Sequence, residues 1–79
     1  MIRVQASLYP LESPDPDEVI KRSIRVLESK GVTCNVGPVS TEFCADDDLA
    51  WQSLRAAYEA ARAEGGEVAM TVTITNSQP

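Results

Sequence analysis

Arg3, Gln5, Ser7 and Tyr9 occupy alternate positions of the opening stretch, and Ile2, Val4, Ala6 and Leu8 fill the positions between them. A period of two sends one set to each face of a strand, so a guanidinium, an amide, a hydroxyl and a phenol share one side. Parity along two later stretches adds Ser40, Glu42 and Cys44, then Thr71, Thr73 and Thr75, with Thr33 and Asn35 at the margin. Solvated antiparallel faces usually carry many Lys and Glu residues. Neutral hydroxyls and amides around one aromatic ring instead suit hydrogen bonding to a flat polar ligand, or packing against a second sheet. The plainer reading is a wet face whose threonines serve strand propensity. Glu42 bears on the choice, because a carboxylate in mid-strand is costly to cover unless a donor meets it. Arg3, a partner's arginine or an aminopyrimidine-type ligand would each supply one.

The residues that are missing narrow the chemistry further. Histidine is absent, which removes the commonest general base and the commonest metal ligand, and no convincing acid–base pair replaces it. The chain therefore reads as a non-enzyme, with no catalytic residue, no metal and no cofactor. Asp46-Asp47-Asp48 reads as the acidic opening of a helix, where carboxylates meet free N–H groups, in preference to a metal site. Cys34 and Cys44 fall on opposite faces and out of register, which excludes a disulfide between them. Cys34 reads as a small buried apolar residue, and Cys44 as a partly exposed thiol with no activating neighbour. Trp51 and Tyr58 read as packing at the edge of the core beside Leu54. A net charge of −5 argues against nucleic acid as a partner. No stretch is long and apolar enough for a transmembrane helix, and Met1 leads straight into the first strand, so the expectation is a cytoplasmic protein with no membrane partner.

These residues must be held by a small scaffold. Seventy-nine residues make one domain, 1–79, and a chain of this size buries only about 60% of its unfolded surface, which makes subunit association a natural source of further stability. Ile2 to Tyr9, closed by Pro10, reads as a central strand. Asp15 as N-cap, Pro16 at the first helical position and Glu18 reaching back in a capping box announce a helix over about Pro16 to Lys30. Its apolar side is Val19, Ile20, Ser23, Ile24, Val26 and Leu27, and Gly31 supplies the stop. Val32 to Val36 is a second strand, Gly37-Pro38 a turn and Val39 to Cys44 a third, with Val36 expected opposite Val39 and with Val39, Thr41 and Phe43 on the core face. Ala50, Leu54, Ala57, Tyr58 and Ala61 form the stripe of a second helix that ends at Gly65-Gly66. Glu67 to Thr75 is the last strand, with Val68, Met70, Val72 and Ile74 inward, and Asn76 to Pro79 a frayed tail. Strand, helix, strand, strand, helix, strand is the α+β, ferredoxin-like βαββαβ arrangement: a four-stranded antiparallel sheet of order 4-1-3-2 with two helices on one face.

The opening Val4-Gln5-Ala6-Ser7-Leu8-Tyr9-Pro10-Leu11 resembles the start of the YkoF-type thiamine-binding proteins, in which a serine, a hydrophobic residue, a tyrosine and a proline follow one another. Gly37-Pro38-Val39-Ser40-Thr41 is similar to that family's entry into the third strand, and Thr71-Val72-Thr73-Ile74 to its close. The resemblance implies a domain that binds thiamine or its hydroxymethylpyrimidine moiety without transforming it, packed sheet to sheet into dimers or tetramers. It implies roles for Ser7, Tyr9 and Thr41. Family members often carry Glu-Gly after the third strand where this chain has Cys44-Ala45, and Glu42 is the nearest carboxylate on the same face. With the open-face neighbours, the expected ligand-binding set is Gln5, Ser7, Tyr9, Ser40, Thr41, Glu42 and Thr73. A ligand-free structural or regulatory module that self-associates through the same face is the alternative, and a small ferredoxin-like enzyme a more distant one.

Overall fold

In the computed structural model, residues 1–38 and 40–77 are described. β1 (Ile2–Pro10), α1 (Pro16–Ser29), β2 (Asn35–Val36), β3 (Thr41–Ala45), α2 (Asp47–Gly65) and β4 (Val68–Thr75) follow in that order. They form one antiparallel sheet of spatial order β2-β3-β1-β4, the expected 4-1-3-2 read from the other edge. β1 is central: it pairs with β3 from Ile2 opposite Ala45 to Ala6 opposite Thr41, and with β4 from Arg3 opposite Thr75 to Pro10 opposite Val68.

The alternation along β1 decides which face the helices cover. Ile2 and Val4 are buried with Phe43 and Ala45 of β3, Leu27 of α1 and Ala50, Leu54 and Ala57 of α2. Arg3, Gln5, Glu42, Cys44, Thr71 and Thr73 are exposed on the other face. Burying apolar side chains of this size is worth about 1.5–3 kcal/mol each, so the alternation fixes the orientation of the sheet.

Local signals set the helix ends. The Glu18 N–H donates to Asp15 Oδ1 at 3.3 Å, so Asp15 caps α1 as its position predicts. The reciprocal half of the capping box is absent. The Asp15 N–H bonds Ser13 Oγ at 3.1 Å instead, and the Glu18 carboxylate turns along the helix to Arg22 and Arg25 at 3.5 and 3.8 Å. Two guanidiniums outcompete one backbone amide for that carboxylate. Lys30 lies just beyond α1 as its C-cap, and Gly31 follows at φ +85°, a conformation that favours glycine. At α2, Asp46 stands in the N-cap position but its side chain makes no capping bond; its carbonyl accepts from the Ala50 N–H at 2.8 Å.

The β2–β3 hairpin departs from expectation in register. Val36 lies opposite Thr41 and Asn35 opposite Glu42, and only Asn35–Val36 is strand before the turn. The Gly37 N–H donates to the Ser40 carbonyl at 2.8 Å, so the connection is wider than a bare Gly37-Pro38 turn. A displacement by two positions preserves which face each side chain takes, so Glu42 and Cys44 stay on the open side. Val36 itself is exposed. Val39, assigned to the core by its parity, lies outside the described residues, as do the last two residues of the expected tail.

The two helices meet through small residues. The Ser23 hydroxyl is buried within reach of the Val19 and Ala57 carbonyl oxygens, at 3.1 and 3.2 Å, and so ties α1 to α2. Ser53, one turn before Ala57, is fully buried, and its Oγ has no hydrogen-bond partner among the described residues.

Candidate ligand-binding site

The sheet is uneven at one end, and that unevenness makes a cavity. β3 begins at Thr41, opposite Ala6, whereas β1 continues to Pro10 against β4. Where the shorter strand gives out, the hairpin, the far half of β1 and α1 enclose a space of about 370 Å³. Its wall is Ile20, Ile24 and Leu27 from α1, Leu54 from α2, and Leu8 and Met70 from the sheet. Ser7, Tyr9, Ser40 and Thr41 also contribute to the lining, Thr41 from the helix side of the sheet, whereas alternation along β1 gives the Ser7 side chain the face of Gln5 and Thr71. Among the described lining residues none carries a charge. A volume in the range of small-molecule sites, a mostly apolar wall and a few polar groups is the make-up of a site for a neutral ring.

The expected site residues therefore divide into two sets. Ser7, Tyr9, Ser40 and Thr41 come together at the cavity. Gln5, Glu42 and Thr73 form a row across the open face, with Gln5 opposite Glu42 on one side and Thr73 on the other. One contact joins the sets: Gln5 Nε2 donates to Ser40 Oγ at 3.1 Å. Thr41 is buried and Tyr9 half exposed, so the cavity runs from the core to the surface. Among the described residues Glu42 has no ion-pair partner, Arg3 included; Arg3 lies opposite Cys44.

Sequence reasoning did not find Ile20, Ile24 and Met70 as lining, because periodicity marks a residue as inward without saying whether core or cavity meets it. It also set Trp51 at the edge of the core, yet Trp51 is 60% exposed. With Leu54, Arg55 and Tyr58, Trp51 overhangs Met70, Val72 and Ile74 of β4 across a second groove of about 400 Å³. Arg62 stands 6.0 Å above the Tyr58 ring on the same helix.

The thiols behave as their faces dictate. Both are free; Cys34 packs against the core and Cys44 is exposed. Burial, and secondarily the charge of Glu28, push the Cys34 pKa above its ordinary value. Among the described residues no cluster of His, Cys, Asp or Glu could hold a metal ion, and no helix is long and apolar enough to cross a membrane.

The fold is shared with several solved proteins. Protein SP2199 of Streptococcus pneumoniae is 27% identical with a TM-score of 0.89, over 98% of this chain and 87% of that one. A domain of unknown function, DUF77, from Bacillus cereus is 23% identical with a TM-score of 0.86, over 96% and 75%. TM0486 of Thermotoga maritima, a protein proposed to act in thiamine biosynthesis or salvage, is 18% identical with a TM-score of 0.85, over 96% and 83%. No curated protein matches the sequence. The model of the YKOF-related family matches residues 1–79, the whole of the sequence, and the chain belongs to that family.

Proposed function

We propose that this chain binds thiamine or its hydroxymethylpyrimidine moiety without transforming it, as a homo-oligomer packed through the open face of its sheet. The observation that carries the reading is the cavity beside the start of β3. Ser7, Tyr9 and Thr41, singled out by likeness to the thiamine-binding proteins, line one enclosure together with Ser40. Its uncharged wall suits the neutral aminopyrimidine, whose ring nitrogens and amino group can exchange hydrogen bonds with hydroxyls while its faces rest on Ile24 and Leu27. The permanently cationic thiazolium fits such a wall poorly and belongs toward the mouth, where a chain of net charge −5 favours a cation. The thiamine-related description of the Thermotoga maritima relative points the same way. The exposed row of Gln5, Glu42 and Thr73 offers a second sheet hydrogen-bonding partners, and a small domain gains stability from such a contact.

Titration calorimetry with thiamine and with hydroxymethylpyrimidine tests the binding. Saturable micromolar heat, weakened by Ser7→Ala, supports the proposal. The absence of heat with both compounds overturns it in favour of a structural module.

A further inference from the structure

Ser23 stands in the α1 wall of the cavity among Ile20, Ile24 and Leu27, and it is buried. Its hydroxyl lies 3.1 Å from the Val19 carbonyl oxygen and 3.2 Å from that of Ala57, a residue that lines the same cavity. A hydroxyl has one proton to give and two lone pairs with which to receive. Both of its neighbours are acceptors, so its proton is engaged by one or the other. Its lone pairs meet no donor among the described residues. Buried polar groups are normally matched, and this one is matched only as a donor. Thr41, on the sheet wall opposite Ala6, is in a different condition. It is buried, and its hydroxyl makes no hydrogen bond among the described residues, so it can rotate to give a proton or to receive one.

We propose that Ser23 determines the specificity of the cavity: its lone pairs receive an N–H of the bound ring, so the site selects an aminopyrimidine over the corresponding oxopyrimidine. The proposal rests on the binding reading above and adds to it the residue that reads the amino group. An amino group supplies the missing donor while the Ser23 proton stays on a backbone carbonyl. An oxo group in the same place brings a further acceptor to a hydroxyl whose proton is already engaged. Either oxygen then faces oxygen, or Ser23 gives up its bond to the helices. Mismatched polar groups cost most where water is excluded, and the wall around Ser23 is Ile20, Ile24 and Leu27. Thr41 does not discriminate, because rotation of its hydroxyl serves either ring.

Calorimetry with hydroxymethylpyrimidine, and with its deaminated counterpart in which oxo replaces amino, tests the assignment. Wild type is expected to bind the amino compound more tightly by about tenfold or more. Ser23→Ala is expected to weaken the amino compound and bring the two affinities within about twofold of each other. Thr41→Val is expected to weaken both compounds and keep the preference. The ratio of affinities is the decisive reading, since a serine that only supported the helices would lower both alike. Should Ser23→Ala fail to fold, Ser23→Cys, whose thiol is a weak acceptor, carries the same expectation. Equal affinities in wild type, or a preference that survives the loss of the Ser23 hydroxyl, overturn the role of Ser23 and leave the binding reading standing. Binding of neither compound overturns both.

Discussion

Gln5 lies between Glu42 and Thr73 in the sheet, and its side-chain amide reaches Ser40 Oγ at 3.1 Å, joining the open face to the rim of the cavity. The bond spans the point at which β3 ends, so it holds the hairpin over the far half of β1. Gln5→Ala is expected to cost under about 1 kcal/mol of stability, since the bond is exposed. It is expected to weaken hydroxymethylpyrimidine binding by several-fold through a looser rim. Urea unfolding and calorimetry on the same variant separate the two effects.

Ile24 lines the cavity from α1 and is only half buried. Ile24→Trp is expected to fill the space, abolish ligand binding and leave the helix content unchanged in far-ultraviolet circular dichroism. Retention of full affinity would place the ligand elsewhere.

The two buried helical serines, Ser23 of α1 and Ser53 of α2, are expected to respond in opposite directions. Ser23 is bonded to carbonyls of both helices, so Ser23→Ala should destabilise the fold by about 1 kcal/mol. Ser53 buries a hydroxyl without a partner among the described residues, so Ser53→Ala should stabilise it by about 0.5–1 kcal/mol, helped by the helix propensity of alanine. Denaturant midpoints with unchanged slopes check both.

Cys34 gives the fold an alkaline limit. Its folded pKa is raised above the ordinary thiol value, first by burial and then by the charge of Glu28, so the folded state holds the thiol proton more tightly than the unfolded chain does. The resulting stability is complete below the unfolded thiol value and is lost as pH rises through the folded one. Wild type should therefore lose more stability than Cys34→Ala between about pH 8 and about pH 10. Alkylation followed by mass should modify the exposed Cys44 well before Cys34.

Much of the fold was legible because single residues carried the signals. The alternation of Ile2 to Tyr9 fixed the two faces of the central strand, Asp15-Pro16 opened α1, and Gly31 closed it. The register of the hairpin was not legible. Gly37-Pro38 marks a turn, but the placement of Val36 against Thr41 depends on how the whole connection closes. The cavity inherits that difficulty, since it exists only because β3 does not begin until Thr41 while β1 runs on to Pro10. Trp51 was misplaced for a related reason. Its spacing from Leu54 and Tyr58 marks a helix face, and only the position of α2 over β4 shows that this face meets a groove at the edge of the sheet.

The most direct test of the central claim follows backbone amide resonances while hydroxymethylpyrimidine is added. Saturable shifts centred on Ser7, Tyr9, Ser40, Thr41 and Ile24, with Thr75 unmoved, are the expected result. No shift with either hydroxymethylpyrimidine or thiamine, or shifts confined to Glu42 and Thr73 on the open face, would contradict binding in the cavity.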